Sequence, residues 1–108
     1  MIVYIAGPMR GFEDFNHSNF NKAEEFLIIE GFKVLNPACL PTDLPEEKYI
    51  PICLAMISQC DAIYFLDGAE YSRGSRVEYA YAKELNKKIL AERLETIVAM
   101  EEYYYYGR

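Results

Sequence analysis

The chain has no tryptophan, one histidine and three cysteines, and each scarcity removes a class of protein. Cys39, Cys53 and Cys60 are odd in number and form neither a CxxC pair nor a Cys/His spacing. That argues against a disulfide framework and against a zinc site. With His17 as the sole imidazole, the simplest expectation is a cytoplasmic protein with no metal and no cofactor. Cations are also in short supply: 11 Lys+Arg stand against 17 Asp+Glu, a net charge of −6. Such a chain repels polyanions and offers no broad basic face to DNA or RNA. A small phosphate held by one Arg and some backbone amides stays compatible with it. No apolar run approaches the roughly 20 residues that span a bilayer. The opening stretch Met1–Ala6 is short for a signal peptide and lacks a basic flank.

What is present reads as a folded α/β domain. Apolar residues make up 52% of 108, enough for a core and right for one domain covering 1–108. Ile2-Val3-Tyr4-Ile5-Ala6 is a β-rich run stopped by Gly7-Pro8. Phe20, Ala23, Phe26 and Leu27 share one helical face, and Gly31 ends that helix. Phe32–Leu35 is a second strand, stopped by Asn36-Pro37 and followed by a proline-rich loop to Pro45. A second helix starts at Glu46 or Ile50 and ends at Gln59, with Pro51 tolerable only in its first turn. Ala62–Leu66 is a third strand, apolar enough to be covered on both faces. A third helix spans about Ser75 to Asn86, Lys88–Ala91 is a fourth strand, and Glu92–Tyr106 is loosely helical.

Strand–helix alternation of this kind predicts a small doubly wound, Rossmann- or flavodoxin-like parallel sheet with helices on both faces. Ligands of such sheets bind beyond the carboxyl ends of the strands. Three loops qualify: Gly7–Gly11, Asn36–Pro45 and Asp67–Ser75. In the first, two glycines allow close approach of a ligand and Arg10 offers a planar cationic fork; alone, it also reads as an ordinary turn. In the third, hydroxyls and free amides precede a helix and form an anion site. There Ser75-x-x-Glu78 has capping-box spacing, which by itself favours Glu78 in the first turn as a cap.

The two loops together resemble a known family. Tyr4-Ile5-Ala6-Gly7-Pro8-Met9-Arg10-Gly11, then Cys60-Asp61-Ala62-Ile63-Tyr64, then Ser72-x-Gly74-x-x-x-Glu78 are similar in order and spacing to the nucleoside 2-deoxyribosyltransferase-like superfamily. The likeness covers roughly Met1 to Leu90. It is greatest to the short bacterial and phage proteins of that superfamily and to its 2′-deoxynucleoside 5′-monophosphate N-glycosidases. The resemblance implies that Glu78 is a nucleophile attacking the anomeric carbon, and that Tyr4 orients it. Gly7, Met9, Arg10 and Gly11 would surround the substrate, while Ser72 and Gly74 would hold a 5′-phosphate. It further implies a small-molecule nucleotide or nucleoside as partner and a homodimer or higher homo-oligomer.

One position departs from the pattern. Where the family carries an aspartate eight residues before the match to Asp61, this chain has Cys53. A thiol supplies no fixed negative charge unless its pKa is strongly lowered. Cys53 itself reads best as a small core residue. Asp67 is the candidate replacement acid, with a turn residue before Gly68 as its plainer reading. Asp61 reads as a cap or anchor for a strand start. The loss at Cys53 favours an alternative function, a non-catalytic nucleotide-binding sensor or sequestering protein. A phosphoribohydrolase of the lysine-decarboxylase-like type would need a Gly-Gly-x-Gly-Thr loop, which the chain lacks. Tyr103–Tyr106 reads first as a subunit contact or amphipathic end, with stacking in a base pocket, its own or a neighbouring subunit's, as the alternative, and His17 as a solvated helix-start residue.

Overall fold

A computed structural model describes residues 1–107. Its elements in chain order are β1 (Ile2–Ala6), α1 (His17–Ile29), β2 (Lys33–Leu35), α2 (Glu46–Ser58), β3 (Ala62–Phe65), α3 (Arg73–Glu84), β4 (Lys88–Ala91) and α4 (Leu94–Tyr106). The four strands form one parallel sheet in the order β2-β1-β3-β4. The fold is the expected parallel α/β arrangement.

The side-chain period of two divides each strand between the faces. On one face Tyr4, Ala6, Ile63 and Phe65 pack with Cys53 and Ile57 of α2, Tyr79 and Ala82 of α3, and Met100 of α4. On the other, Val3, Ile5, Ala62 and Leu66 pack against Phe20, Ala23 and Leu27 of α1. With helices on both faces neither strand centre can be polar, which is why β1 and β3 read as near-continuous apolar runs.

Several boundaries differ from the sequence reading. The second strand begins at Lys33 and the third ends at Phe65. Helix α2 starts at Glu46, so Pro51 lies in its second turn. The proline removes the bond to the Glu47 carbonyl, but both residues are exposed, so water serves that acceptor. Helix α3 begins two residues before the expected Ser75. Phe26 does not share the buried face of α1: it is 49% exposed and leans on Tyr64 with ring centroids 6.3 Å apart. Asp61 does anchor a strand start, its Oδ2 accepting the Ile2 amide at 2.8 Å.

The strand order reverses direction between β1 and β3: the chain moves outward to β2 on one side and to β4 on the other. The loops leaving these two central strands therefore diverge and open a crevice, the usual ligand position in doubly wound sheets. Their first residues are tightly packed. A Cβ on Gly7 would lie 2.8 Å from Leu66 Cδ1 and 2.9 Å from its Cβ. We expect Gly7→Ala to lower stability by about 1–3 kcal/mol through overpacking, read by urea denaturation. Leu66→Ala in the same chain should recover part of that added loss. An unchanged denaturation midpoint in Gly7→Ala would show that the approach is slack.

Candidate functional site

The crevice is a cavity of about 420 Å³, within the size range of small-ligand pockets. Its floor is Tyr4 in the middle of β1 and Glu78 on α3; its walls come from the β1 loop, Pro37, α2, Gly68 and the stretch from Tyr71 to Gly74. Of the residues the sequence singled out, Tyr4, Gly7, Met9, Arg10, Ser72, Gly74 and Glu78 all line it.

Two of them do not. Gly11 is exposed beyond the wall, with a φ of 83°, so its role is to turn the loop and not to touch a ligand. Asp67 is exposed outside the lining, its amide bonded to Glu92 Oε1 at 2.9 Å. Asp67 opens the turn after β3, and Gly68, with a φ of 84°, is the residue of that turn that lines the cavity. Asp67, named as a candidate acid, thus sits at the strand end and is not brought into the cavity with Glu78.

Glu78 also differs from its capping-box reading. The N-cap of α3 is Ser72, whose Oγ accepts the Ser75 amide at 3.2 Å. That puts Glu78 in the second turn, where it accepts the Tyr4 hydroxyl at 2.5 Å. Burial raises its pKa from 4.5 to about 7, and the Tyr4 hydrogen bond opposes that rise. Burial and the nearby carboxylate push the Tyr4 phenol well above its usual value. The outcome is a half-buried carboxyl at the cavity, with a pKa near neutrality and one hydrogen-bond donor, the Tyr4 hydroxyl.

Cys53 is both things the sequence posed as alternatives. It is 3% exposed and belongs to the core, yet it lines the cavity beside Tyr4 and Glu78. Burial, and next the Glu78 charge, push its thiol up to about 12, so it is a neutral, compact wall. Ser72 closes one end of the cavity with the amides of Arg73 and Gly74, which have no acceptor among the described residues. At the mouth, Arg10 Nε lies 3.9 Å from Glu46 Oε2, both side chains more than half exposed.

The sequence reading missed four participants. Tyr49, from α2, lines the cavity and donates from its hydroxyl to Met9 Sδ and the Pro37 carbonyl, each at 3.1 Å. Glu46 and Tyr71 stand at the rim. Asn16 lies behind the wall. There Asp14, Phe15 and Asn16 run with left-handed φ values of 49°, 52° and 64°, a costly conformation for non-glycine residues. Asn16 Nδ2 donates to the Pro8 carbonyl at 2.9 Å and its Oδ1 accepts from Asn19 at 2.7 Å, so it pins the β1 loop. Only the Asn16-His17-Ser18-Asn19 helix-start pattern hinted at this. Among the described residues, no three His, Cys, Asp or Glu side chains gather in a way that could hold a metal ion, and no helix is long and apolar enough to cross a membrane.

The raised pKa of Glu78 has a signed consequence. Below pH 4.5 the carboxyl is protonated in both folded and unfolded chains and costs nothing. Between 4.5 and about 7 the unfolded chain ionises first, so stability falls as pH rises, and above about 7 the loss is complete. The shift corresponds to about 3 kcal/mol at most. We expect Glu78→Gln to flatten this decline between pH 4.5 and 7 and to exceed the wild type in stability at pH 8. Parallel pH–stability curves for the two proteins would show that the carboxylate is well solvated.

Among curated proteins none matches the chain. A family model described as a domain of unknown function, DUF4406, matches residues 1–91. That span runs from β1 to the last residue of β4 and takes in every residue lining the cavity, leaving α4 outside. The chain belongs to the DUF4406 family.

Proposed function

We propose that the protein is an N-glycosidase or deoxyribosyltransferase acting on a nucleoside 5′-monophosphate, with Glu78 as nucleophile. The observation that carries this reading is the Tyr4–Glu78 hydrogen bond in a cavity that also takes in the capped start of the same helix, at Ser72 and Gly74. A nucleotide presents both groups that such a cavity suits, an electrophilic sugar carbon and an anion. The phosphate takes the unpartnered amides of Arg73 and Gly74 and the Ser72 hydroxyl. Arg10, only loosely paired with Glu46, swings to it from the mouth.

With the phosphate anchored, C1′ of the sugar lies over Glu78. Ionised Glu78 attacks that carbon, the base departs, and the glycosyl ester is resolved by water or by a second base. Tyr4 holds the carboxylate in one rotamer and supports its charge. The cytoplasm, where nucleotides are kept, is the compartment that this reading assigns. Cys53 favours a second reading, a nucleotide-binding protein without turnover, because its neutral thiol stands where the resembling enzymes have an acid.

Release of free base from a panel of nucleotides, followed by chromatography, separates the two. We expect wild-type turnover to rise with pH through about 7 as Glu78 ionises, and Glu78→Gln to abolish it. Turnover retained in Glu78→Gln would remove the nucleophile assignment; tight binding with no base release would favour the binding protein. Arg10→Ala should weaken nucleoside monophosphate binding about tenfold and reduce its salt dependence, checked by calorimetry at two ionic strengths. Equal affinity for the monophosphate in both proteins would place the anion elsewhere.

A further inference from the structure

The cavity has a nucleophile but no group suited to protonate a leaving base. Tyr4 already gives its proton to Glu78. The Tyr49 hydroxyl is committed to Met9 Sδ and the Pro37 carbonyl. Cys53 holds its proton far too firmly to release it at neutral pH, and Asp67 lies outside the lining. Glu46 is the remaining carboxyl of the wall, and it faces Arg10 at the solvent-exposed mouth. Charged groups of both signs line the cavity, Arg10 and Arg73 with the start of α3, and Glu78 with Glu46, and Met9, Phe12, Tyr49 and Ile50 are among its apolar and aromatic lining.

We infer that the substrate is a nucleoside 5′-monophosphate whose base carries a positive charge at its glycosidic ring, a pyridinium or an N7-alkylated purine. This rests on the glycosidase reading above and narrows it. Such a base needs no proton to leave. A Glu78 oxygen forms a bond to C1′, the C1′–N bond breaks, and its electron pair cancels the ring's positive charge, so the base departs neutral. Water then attacks C1′, the ester bond returns its pair to the Glu78 carboxylate, and the water proton passes to solvent. An uncharged base would leave as an anion, and the cavity supplies nothing to neutralise it. The aromatic wall suits a flat cation, and Phe12 and Tyr71, 51% and 81% exposed at the rim, are free to cover it.

The test compares wild-type base release from N7-methylguanosine 5′-monophosphate and from guanosine 5′-monophosphate. Both are used in the ribo and 2′-deoxyribo series, alongside nicotinamide mononucleotide, with release by Glu78→Gln subtracted as background. General acid assistance is worth about 10²–10⁴ in rate, so the methylated nucleotide should react at least about 10²-fold faster than its parent. Turnover of nicotinamide mononucleotide alone would identify the pyridinium class, and of the methylated purine alone the alkylated class. In Cys53→Asp, assayed on protein with wild-type thermal stability, the parent nucleotide should gain and the ratio contract; an unchanged ratio there would overturn the inference. So would wild-type rates within tenfold of each other on charged and uncharged bases, and that result would leave the glycosidase reading standing. Absence of base release from every nucleotide would instead remove the glycosidase reading and this inference with it.

Discussion

The structure depends on the burial of β1 from Val3 to Ala6. This strand has parallel neighbours on both edges and helices on both faces, and Val3, Tyr4, Ile5 and Ala6 are each at most 1% exposed. Nothing in it can move without disturbing two cores at once. Its last residues therefore hold fixed positions, and the loop that follows departs from a rigid base. Gly7 continues the constraint, because the chain leaves β1 hard against Leu66 at the end of β3. The crevice exists because these two central strands release their chains in opposite directions.

Against that rigid strand the protein sets a buried polar contact. Placing a carboxylate beside an apolar core costs free energy unless the group is satisfied. Tyr4 supplies one hydrogen bond and is itself packed in the core. The result is a group whose protonation changes near pH 7 and whose direction is set by a phenol that cannot turn away. Perturbed groups in clefts commonly mark functional sites, and here the perturbation has a named cause, burial, opposed by one donor. Cys53 completes the pocket floor at low cost, since a small neutral thiol packs like an apolar residue. What it withholds from the site is a readily transferred proton.

The walls are held by a different device. The β1 loop is tied from behind by Asn16, within a run of left-handed residues that only such a tie sustains. The loop after β2 is tied by Asn36, whose Oδ1 accepts the Ala38 amide at 2.9 Å, and by Tyr49 from α2. Polar side chains thus do for the loops what apolar packing does for the strands. The outer rim, with Arg10, Glu46, Phe12 and Tyr71, is left exposed and free to adjust around a ligand.

The strands, the helices, the parallel sheet and the three loops that contribute to the cavity were legible in the sequence, because apolar periodicity and Gly/Pro punctuation are local signals. Local signals also placed Arg10 and the Ser72–Glu78 segment at strand and helix ends, where a doubly wound sheet puts ligands, whereas Tyr4, in the middle of β1, was singled out only by the family resemblance. They misread what Glu78 does: Ser75-x-x-Glu78 has the spacing of a cap, and only the start of α3 at Arg73 shows that Ser72 holds that role. The partnership of Tyr4 with Glu78 joins residues 74 positions apart, and no local pattern encodes it. Likewise nothing near Cys53 in sequence tells that α2 lays it between core and cavity, and nothing near Asp67 tells that it stays outside the lining. Residue type and period are carried by the chain itself. Which face of a helix meets which strand, and hence which carboxyl is buried and which is wet, was decided only when the two halves of the sheet closed around β1.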